Sequence, residues 1–381
     1  MIQSKKIKII FVLPELGGGG AERVMVNLLR NLDRNIFEII FIVGKKEGPY
    51  LHLLPSDIEV IALNRNRTLS MLPDLVKLIR KIKPDIVFST LTRMNVITII
   101  AKILSGLRTK VIIREVNTFS IVQRNAKGAR EKFLPLLVRL LYNRADIMVF
   151  PSKGALEDFH NYFKKMDSRK MQVIYNPLEI DKILELKSEK IDEPFWENNE
   201  KRKIISVGRL ERQKGHKFLF DAISIVNQEL GSVELIILGK GKEEEALREY
   251  AEKIGILNNV KFMGFKANPY KYIAHSDVFV LSSLWEGFAN VITEAMACGT
   301  PVVATDCPSG PREIINNGVN GVLVPVANPK AMASSIISIL QNDHLANLLR
   351  ENGFKRALDF DVKKIVKEYE ELFLSLLCGK L

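Results

Sequence analysis

Two cations stand close together in a short segment that follows an apolar run. Residues 204–208 are Ile-Ile-Ser-Val-Gly, and Arg209 and Lys214 follow them, ahead of Gly215. A guanidinium binds phosphate oxygens through two parallel hydrogen bonds, whereas an ammonium acts as a compact point charge. Either cation alone would be typical of a solvated surface, but the pair predicts a site that holds a diphosphate and stabilises it as a leaving group.

Two glutamates further along the chain are suited to bind hydroxyl groups. Glu286 precedes Gly287, and Glu294 lies in the apolar segment that follows. The pattern predicts a helix beginning near Phe288 with Glu294 about two turns inside it, so that the helix N-terminus and both carboxylates face one spot. A sugar or a ribose fits such a segment better than a bare anion. The alternative is that either glutamate forms a salt bridge.

Four consecutive glycines, Gly17, Gly18, Gly19 and Gly20, separate the first apolar run from a helical segment. Their backbone can approach a ligand without obstruction by Cβ atoms, and the helix N-terminus offers N–H groups to a phosphate. The spacing matches neither Gly-x-Gly-x-x-Gly nor a Walker A loop, which argues against NAD or ATP. The segment is therefore a candidate anion site, and the alternative is a plain flexible turn.

These candidates lie at the ends of short runs rich in Ile and Val, which alternate with helical patterns. Continuous hydrophobicity indicates strands buried on both faces, as in a parallel sheet flanked by helices. The predicted strands are residues 8–13, 37–43, 58–63, 86–89, 111–114, 147–151, 204–208, 233–239, 260–264, 278–282, 301–305 and 321–324. The predicted fold class is α/β, with two Rossmann-like doubly wound domains and ligands in a cleft at the carboxyl ends of the strands.

The length of the chain also favours two domains, because 381 residues exceed what one hydrophobic core usually supports. The polar segment 188–203 marks their joint, so we expect a first domain over residues 1–185 and a second over 200–358. An amphipathic helix follows, over residues 360–381. Asp359 and Asp361 are better explained as its caps than as metal ligands.

Charge is unevenly distributed along the chain. Residues 1–180 contain 30 Lys and Arg against 16 Asp and Glu, whereas residues 181–381 contain 26 against 28. The first half therefore favours an anionic partner such as a membrane surface or a phosphorylated substrate. Nucleic acid is not expected, because no recognised motif or interleaved aromatics accompany the basic residues. A basic surface that only maintains solubility is the alternative.

The cysteines and the apolar runs indicate a cytoplasmic protein. Cys298, Cys307 and Cys378 lack the spacing of metal ligands and fit reduced thiols. The apolar runs fall short of the roughly 20 residues that a membrane-spanning helix needs. Because the cysteines lack ligand spacing, we expect no resident metal, and no other cofactor is expected.

The motifs together resemble family 4 of the retaining glycosyltransferases, which have the GT-B fold. The resemblance rests on Gly208-Arg209-Leu210 with Lys214-Gly215, on Glu286 and Glu294 with seven residues between them, and on the string from Ala297 to Ala304. It covers essentially the whole chain. It implies that the C-terminal helix returns to the first domain and that the donor is a nucleotide sugar, here UDP-linked, bound without a metal.

The resemblance also implies roles for the site residues. Arg209 and Lys214 would hold the donor diphosphate, Glu294 the ribose hydroxyls, and Glu286 the donor sugar. The Gly17 to Gly20 loop would close over the leaving diphosphate, and Gly264 would line the base pocket. The remaining donor-site residues are Gly208, Gly239, Gly287, Phe288, Ala289 and Asn290.

The acceptor site departs from the family pattern. Many members have a histidine after the strand that corresponds to residues 111–113, where this chain has Arg114-Glu115-Val116-Asn117. Retaining transfer resembles a front-face displacement in which the departing phosphate can accept the acceptor proton, so that no protein base is required. Glu115 or Asn117 would orient the acceptor, with Arg93 and Arg114 as further acceptor-site candidates.

The acceptor class is suggested by residues 306–314, which look most like those of enzymes that add N-acetylgalactosamine, or a similar hexosamine, to undecaprenyl-diphosphate glycans. A glycan or lipid-linked diphosphate acceptor is therefore expected. The alternatives are a lipopolysaccharide-core or capsule transferase with another donor sugar, and a UDP-sugar 2-epimerase or a phosphorylase of the same fold. Neither the carboxylates for proton abstraction nor a cofactor lysine that these last two enzymes need is evident.

Residues 123–144 combine apolar and basic character. Their basic residues are Arg124, Lys127, Arg130, Lys132, Arg139 and Arg144. A helix of this kind could lie on an anionic membrane and attract a lipid-linked substrate. The alternative is that its apolar face packs in the core of the first domain.

Overall fold

The computed structural model describes residues 5–126, 128–197, 201–231 and 233–379, and the chain divides into two compact units. The first unit contains the residues up to Pro177 and those from Val362 onward, and the second unit runs from Leu178 to Asp361. The sequence placed the end of the first domain at residue 185, whereas the first unit ends at Pro177. The difference arises because the short helix that follows Pro177 packs against helices of the second unit.

The first unit is built on a parallel sheet in the order β3-β2-β1-β4-β5-β6-β7. Its strands are β1 (Ile7–Leu13), β2 (Phe37–Val43), β3 (Glu59–Ala62), β4 (Ile86–Thr90), β5 (Lys110–Arg114), β6 (Ile147–Phe150) and β7 (Met171–Val173). Its first six helices are α1 (Gly20–Asn31), α2 (Leu72–Ile82), α3 (Thr92–Ser105), α4 (Phe119–Arg124), α5 (Ala129–Leu141) and α6 (Lys153–Tyr162). Buried Ile, Val and Phe side chains fill both faces of the sheet.

The second unit repeats this construction in the order β10-β9-β8-β11-β12-β13, again with parallel strands. Its strands are β8 (Arg202–Val207), β9 (Val233–Leu238), β10 (Val260–Phe262), β11 (Val278–Leu281), β12 (Val302–Thr305) and β13 (Val322–Val324). Its helices are α7 (Ile180–Leu186), α8 (His216–Leu230), α9 (Glu244–Lys253), α10 (Tyr270–Ala274), α11 (Asn290–Cys298), α12 (Pro311–Ile314), α13 (Pro329–Gln341) and α14 (Asp343–Ala357). The predicted α/β class with two doubly wound parallel sheets is confirmed.

The last helix, α15 (Val362–Leu377), belongs to the first unit, as expected from the family resemblance. Tyr369 and Phe373 on this helix contact the ring of Phe88 at centroid distances of 5.8 and 6.2 Å. The helix therefore completes the core of the first unit. No helix in the described ranges is long and apolar enough to cross a bilayer.

In each sheet the strand order reverses between two neighbours, β1 and β4 in the first unit and β8 and β11 in the second. The loops that leave the carboxyl ends of such strands diverge to opposite faces and leave a crevice where ligands bind. The predicted donor segments follow β8 and β11, and the glycine segment follows β1.

Candidate active site

The two chemistry-bearing loops of the second unit are bonded to each other. The amide of Leu284 donates to the carbonyl oxygen of Gln213 at 2.7 Å, and Ser282 Oγ donates to the carbonyl oxygen of Lys214 at 2.7 Å. Gln213 Nε2 also donates to the carbonyl oxygen of Trp285 at 2.9 Å. The loop after β8 is thus fixed against the loop after β11 at the point where the strand order reverses.

Lys214 and Glu286 form an ion pair at this junction. Lys214 Nζ lies 2.6 Å from Glu286 Oε1, and the two side chains are only 15% and 9% exposed. Ser283 Oγ donates to the same carboxylate oxygen at 2.6 Å, and Ser309 Oγ donates to the carbonyl oxygen of Glu286 at 2.9 Å. The salt bridge considered as an alternative for Glu286 is therefore present. Because the pair is largely buried and further hydrogen-bonded, it holds an ammonium and a carboxylate in a fixed geometry.

Arg209 lies on the same loop as Lys214 but extends into solvent. Its side chain is 63% exposed, and its ion pair with Glu211 has a distance of 3.5 Å. An exposed pair of this length contributes little. The guanidinium can therefore exchange Glu211 for a bound anion at small cost.

Helix α11 begins later than the sequence predicted. Ala289 has a φ of +72°, so residues 287–289 form a loop and the helix starts at Asn290 rather than near Phe288. Glu294 consequently lies about one turn inside the helix, not two, and its side chain is buried. The prediction was wrong because nothing in the sequence marks Ala289 for the left-handed region, which residues other than glycine rarely adopt.

Gly208, Gly239 and Gly264 follow the adjacent strands β8, β9 and β10. The amide of Gly239 donates to the carbonyl oxygen of Gly264 at 2.8 Å. Gly239 has a φ of +145°, and a Cβ atom there would overlap the carbonyl oxygen of Gly208. Glycine at these positions allows the strand ends to pack closely against each other and against the Lys214 side chain.

Two residues at this edge were given no role from the sequence. Phe265 follows Gly264 and exposes 44% of its surface. His216 begins α8 and is buried. Burial, with a smaller effect of the Lys214 cation, lowers the pKa of His216 to about 4, so the imidazole is neutral near pH 7. A single histidine or phenylalanine forms no sequence pattern that indicates a site. Only the position of these two residues in the fold makes them candidates.

In the first unit the glycine segment is supported by side chains. Gly18 has a φ of +86°, and Gly19 precedes α1 in an extended conformation. Tyr50 donates its hydroxyl hydrogen to the carbonyl oxygen of Gly18 at 3.0 Å, and Arg23 Nη2 donates to that hydroxyl at 2.9 Å. The Glu22 carboxylate lies beside Gly19. An anion at this helix N-terminus would compete with that carboxylate.

Glu115, one of the acceptor candidates, is enclosed in a polar network. It accepts hydrogen bonds from Thr92 Oγ1 at 2.8 Å, from Asn95 Nδ2 at 3.2 Å, and from the Tyr142 hydroxyl. Burial raises the pKa of Glu115, and these donors offset part of that effect. Both carboxylate oxygens are thus bonded inside the first unit.

The other acceptor candidates do not gather at one point of the surface. Arg114 is buried, donates to Asn176 Oδ1, and has no partner for Nε and Nη1 among the residues that the structure describes. Asn117 Oδ1 accepts the amide of Thr118 at 2.9 Å ahead of α4. Arg93 is exposed and paired with Glu131. The acceptor role of these residues stays a prediction.

Comparison with known proteins agrees with this architecture in both halves. Residues 18–182 match the family model described as glycosyltransferase family 4, and residues 187–356 match the model described as glycosyl transferases group 1. Anabaena HepE in complex with UDP-glucose superposes with a TM-score of 0.82 at 22% identity, covering 97% of this chain and 100% of that one. Sucrose-phosphate synthase from Thermosynechococcus elongatus gives 0.80 at 17% identity, covering 98% and 100%. The fold and the site define a glycosyltransferase with the GT-B fold.

Similarity to curated proteins extends over almost the whole chain. The N-acetylgalactosamine-N,N'-diacetylbacillosaminyl-diphospho-undecaprenol 4-alpha-N-acetylgalactosaminyltransferase of Campylobacter jejuni is 32% identical over 95% of this chain and 98% of its own length. The lipopolysaccharide core biosynthesis glycosyltransferase LpsE of Rhizobium meliloti is 29% identical over 94% and 96%. The chain therefore belongs to glycosyltransferase family 4.

Proposed function

We propose that this enzyme is a retaining glycosyltransferase that moves a hexosamine, with N-acetylgalactosamine as first choice, from a UDP-sugar to a polyprenyl-diphosphate-linked glycan. The proposal rests chiefly on the Lys214–Glu286 pair at the carboxyl ends of β8 and β11, with Arg209 exposed on the same loop. Cations beside a carboxylate suit a ligand in which a diphosphate is joined to a sugar. Two Campylobacter jejuni relatives named as N-acetylgalactosaminyltransferases for undecaprenol-linked glycans support the choice of sugar and acceptor.

In the proposed mechanism the protein stabilises charge and positions hydroxyl groups. Arg209 and Lys214 bind the donor diphosphate and neutralise the charge that grows on it as the bond between the sugar C1 and the phosphate oxygen breaks. Glu286, with the backbone of residues 287–290, binds the sugar, and Glu294 binds the ribose hydroxyls. With two cations on the diphosphate, the reaction requires no metal ion.

The direction from which the acceptor attacks accounts for retention of the anomeric configuration. The acceptor hydroxyl forms its bond to C1 on the face from which the diphosphate leaves, and the departing phosphate oxygen takes the hydroxyl proton. The anomeric configuration is thereby kept without a protein base. The acceptor lies at the cytoplasmic face of a membrane during glycan assembly.

Product analysis tests this function. The enzyme is incubated with undecaprenyl-diphosphate glycans and one donor at a time. The donors are UDP-N-acetylgalactosamine, UDP-N-acetylglucosamine, UDP-galactose and UDP-glucose. We expect mass spectrometry to show added N-acetylhexosamine, NMR to show an α-linkage, and excess EDTA to leave the rate unchanged. A β-linked product would contradict retention, and strict dependence on Mn²⁺ or Mg²⁺ would contradict the metal-independent mechanism. Transfer of plain hexoses only would favour the lipopolysaccharide-core alternative, which the Rhizobium meliloti relative suggests.

A further inference from the structure

Helix α5 has two apolar faces, and only one of them packs in the core. The packed face consists of the buried Val138 and the partly buried Leu134, Leu137 and Leu141. Phe133, Leu136 and Leu140 instead expose 54%, 46% and 63% of their surface. Residues spaced by three and four lie on one side of a helix, so these three form a continuous apolar stripe in solvent. Packing in the core therefore explains the first face and leaves the apolar stripe unexplained.

Basic side chains lie next to the apolar stripe. Lys132 and Arg139 are exposed on α5 itself, on the solvent side next to the stripe, and Arg124 and Arg144 are exposed just before and after the helix. Lys127 and the side chain of Arg130 lie outside the described residues.

Acidic charge does not offset this basic border. Residues 123–144 contain six basic residues and a single acidic one, Glu131. The carboxylate of Glu131 is already paired with Arg93 on the neighbouring helix α3. The helix therefore presents an apolar stripe with a positively charged border beside it.

We propose that the apolar stripe and its basic border are the face by which this enzyme lies on an anionic lipid bilayer. Apolar side chains of such a helix enter the boundary between headgroups and acyl chains, while Lys and Arg pair with lipid phosphates. A fluid lipid surface needs no matching pocket and therefore suits an exposed stripe of this kind. A second copy of this chain fits less well, because joining two stripes would bring two basic borders together.

The role of this docking face rests on the proposed function, because a polyprenyl-linked acceptor is confined to the same lipid surface. An enzyme bound there would meet its acceptor by diffusion in two dimensions. The docking itself can be measured without any sugar transfer.

Flotation of the full-length protein on lipid vesicles tests the face. We expect the wild type to float with phosphatidylglycerol-containing vesicles, to float poorly with pure phosphatidylcholine, and to be released by salt. The triple variant Phe133→Ser, Leu136→Ser, Leu140→Ser should lose about tenfold or more of the bound fraction. A matched control, Val319→Ser, Leu348→Ser, Leu358→Ser, changes three residues of the second unit that are 45%, 40% and 39% exposed, and it should float like the wild type.

A charge-reversal variant separates the two parts of the face. Lys132→Glu with Arg139→Glu should weaken flotation and reduce its salt dependence, while the apolar stripe stays intact. Circular dichroism melting shows whether each variant is folded.

Three outcomes would overturn the docking face: a stripe variant that floats like the wild type, a wild type that does not float, or equal binding to both vesicle types. A wild-type dimer that the stripe variant converts to a monomer would identify the stripe as a self-association surface instead. Transfer to a detergent-dispersed acceptor should be equal in the wild type and the stripe variant. If the wild type transfers sugar from none of the UDP-sugars, the proposed function is refuted, but the flotation result is unaffected.

Discussion

Lys214 and Glu286 come from loops separated by 72 positions in sequence, yet their charged atoms lie 2.6 Å apart. The sequence predicted both residues for the donor site but assigned them to different groups of the donor, the cation to the diphosphate and the carboxylate to the sugar. Their contact follows from the adjacency of β8 and β11, which no local pattern reveals. Each side chain therefore fixes the orientation of the other, and a change in one affects both ends of the proposed ligand.

A double-mutant cycle measures this dependence. Lys214→Ala or Glu286→Ala leaves a largely buried charge without its partner, so each should lower the free energy of unfolding by about 3 kcal/mol, and the double variant by clearly less than the sum. Urea denaturation provides the four values. The exposed pair Arg202–Asp277, at 3.2 Å, serves as control and should show coupling below about 1 kcal/mol. Coupling near zero for Lys214 and Glu286 would refute their interdependence.

His216 predicts a dependence of stability on pH. Its folded-state pKa is about 4, against 6.5 for an ordinary histidine, because it is buried beside Lys214. Between these values the unfolded chain binds a proton that the folded chain does not, so stability is full above pH 6.5 and falls as the pH is lowered toward 4. The loss by pH 4 should be roughly 3 kcal/mol. Urea denaturation of the wild type and of His216→Asn at pH 7 and pH 4.5 gives the free energy of unfolding of each. The wild type should lose more of it than the variant between the two pH values, and an equal loss in both would contradict the effect of burial on His216.

Arg114 and Glu115 have an environment that their residue types do not predict. Both were acceptor-site candidates from the sequence, and both side chains are buried in the first unit. Their partners Asn176 and Tyr142 come from distant parts of the chain. Burial of a charge depends on such partners, and a local sequence pattern does not contain them.

Among the elements, long buried strands left the clearest signal. The predicted strand at residues 37–43 coincides with β2, because continuous apolar character is required where both faces of a strand are covered. β7 (Met171–Val173) was missed, because Gln172 interrupts its short apolar run. The start of α11 was wrong because the positive φ of Ala289 leaves no trace in residue type.

The glycine positions after β9 and β10 predict unequal effects of an added methyl group. Gly239→Ala would press a Cβ atom into the backbone of Gly208 and should cost about 3 kcal/mol or more of the free energy of unfolding. Gly264→Ala meets only the flexible end of Lys240 at 3.3 Å, although its φ of +66° should cost about 1 kcal/mol. Thermal unfolding of both variants checks this order. Equal destabilisation would contradict the close backbone packing of Gly239.

Each unit has its own hydrophobic core, and α15 completes the core of the first unit. Phe373 contacts Phe11 and Phe37 at centroid distances of 6.4 and 5.9 Å. A chain that ends at Asp361 should therefore lose the first unit and keep the second. Limited proteolysis with mass spectrometry should show a protected fragment near residues 178–361, whereas removal of residues 378–381 alone should change nothing. Equal protection of both units in the truncated chain would show that α15 is dispensable.

The sequence predicted two domains from chain length and alternating strands and helices, and the family resemblance supplied the return of the last helix. It placed the joint within the polar segment 188–203, although the chain enters the second unit at Leu178. The boundary was missed because α7 is amphipathic and could have packed on either unit. For residues 123–144, the sequence offered a membrane face and a core face as alternatives. In the structure, α5 has one apolar face in the core and a second, exposed one, and the residues of the two faces overlap in sequence.

Isothermal titration with UDP tests whether the donor diphosphate binds at the carboxyl ends of β8 and β11. Arg209 follows the carboxyl end of β8, and Arg202 begins the same strand at its amino end; their side chains are 63% and 55% exposed. We predict that Arg209→Ala weakens UDP binding about 30-fold, the loss of a charge-assisted hydrogen bond worth about 2 kcal/mol, while Arg202→Ala binds like the wild type. Unchanged affinity in Arg209→Ala, or an equal loss in both variants, would contradict this placement of the donor.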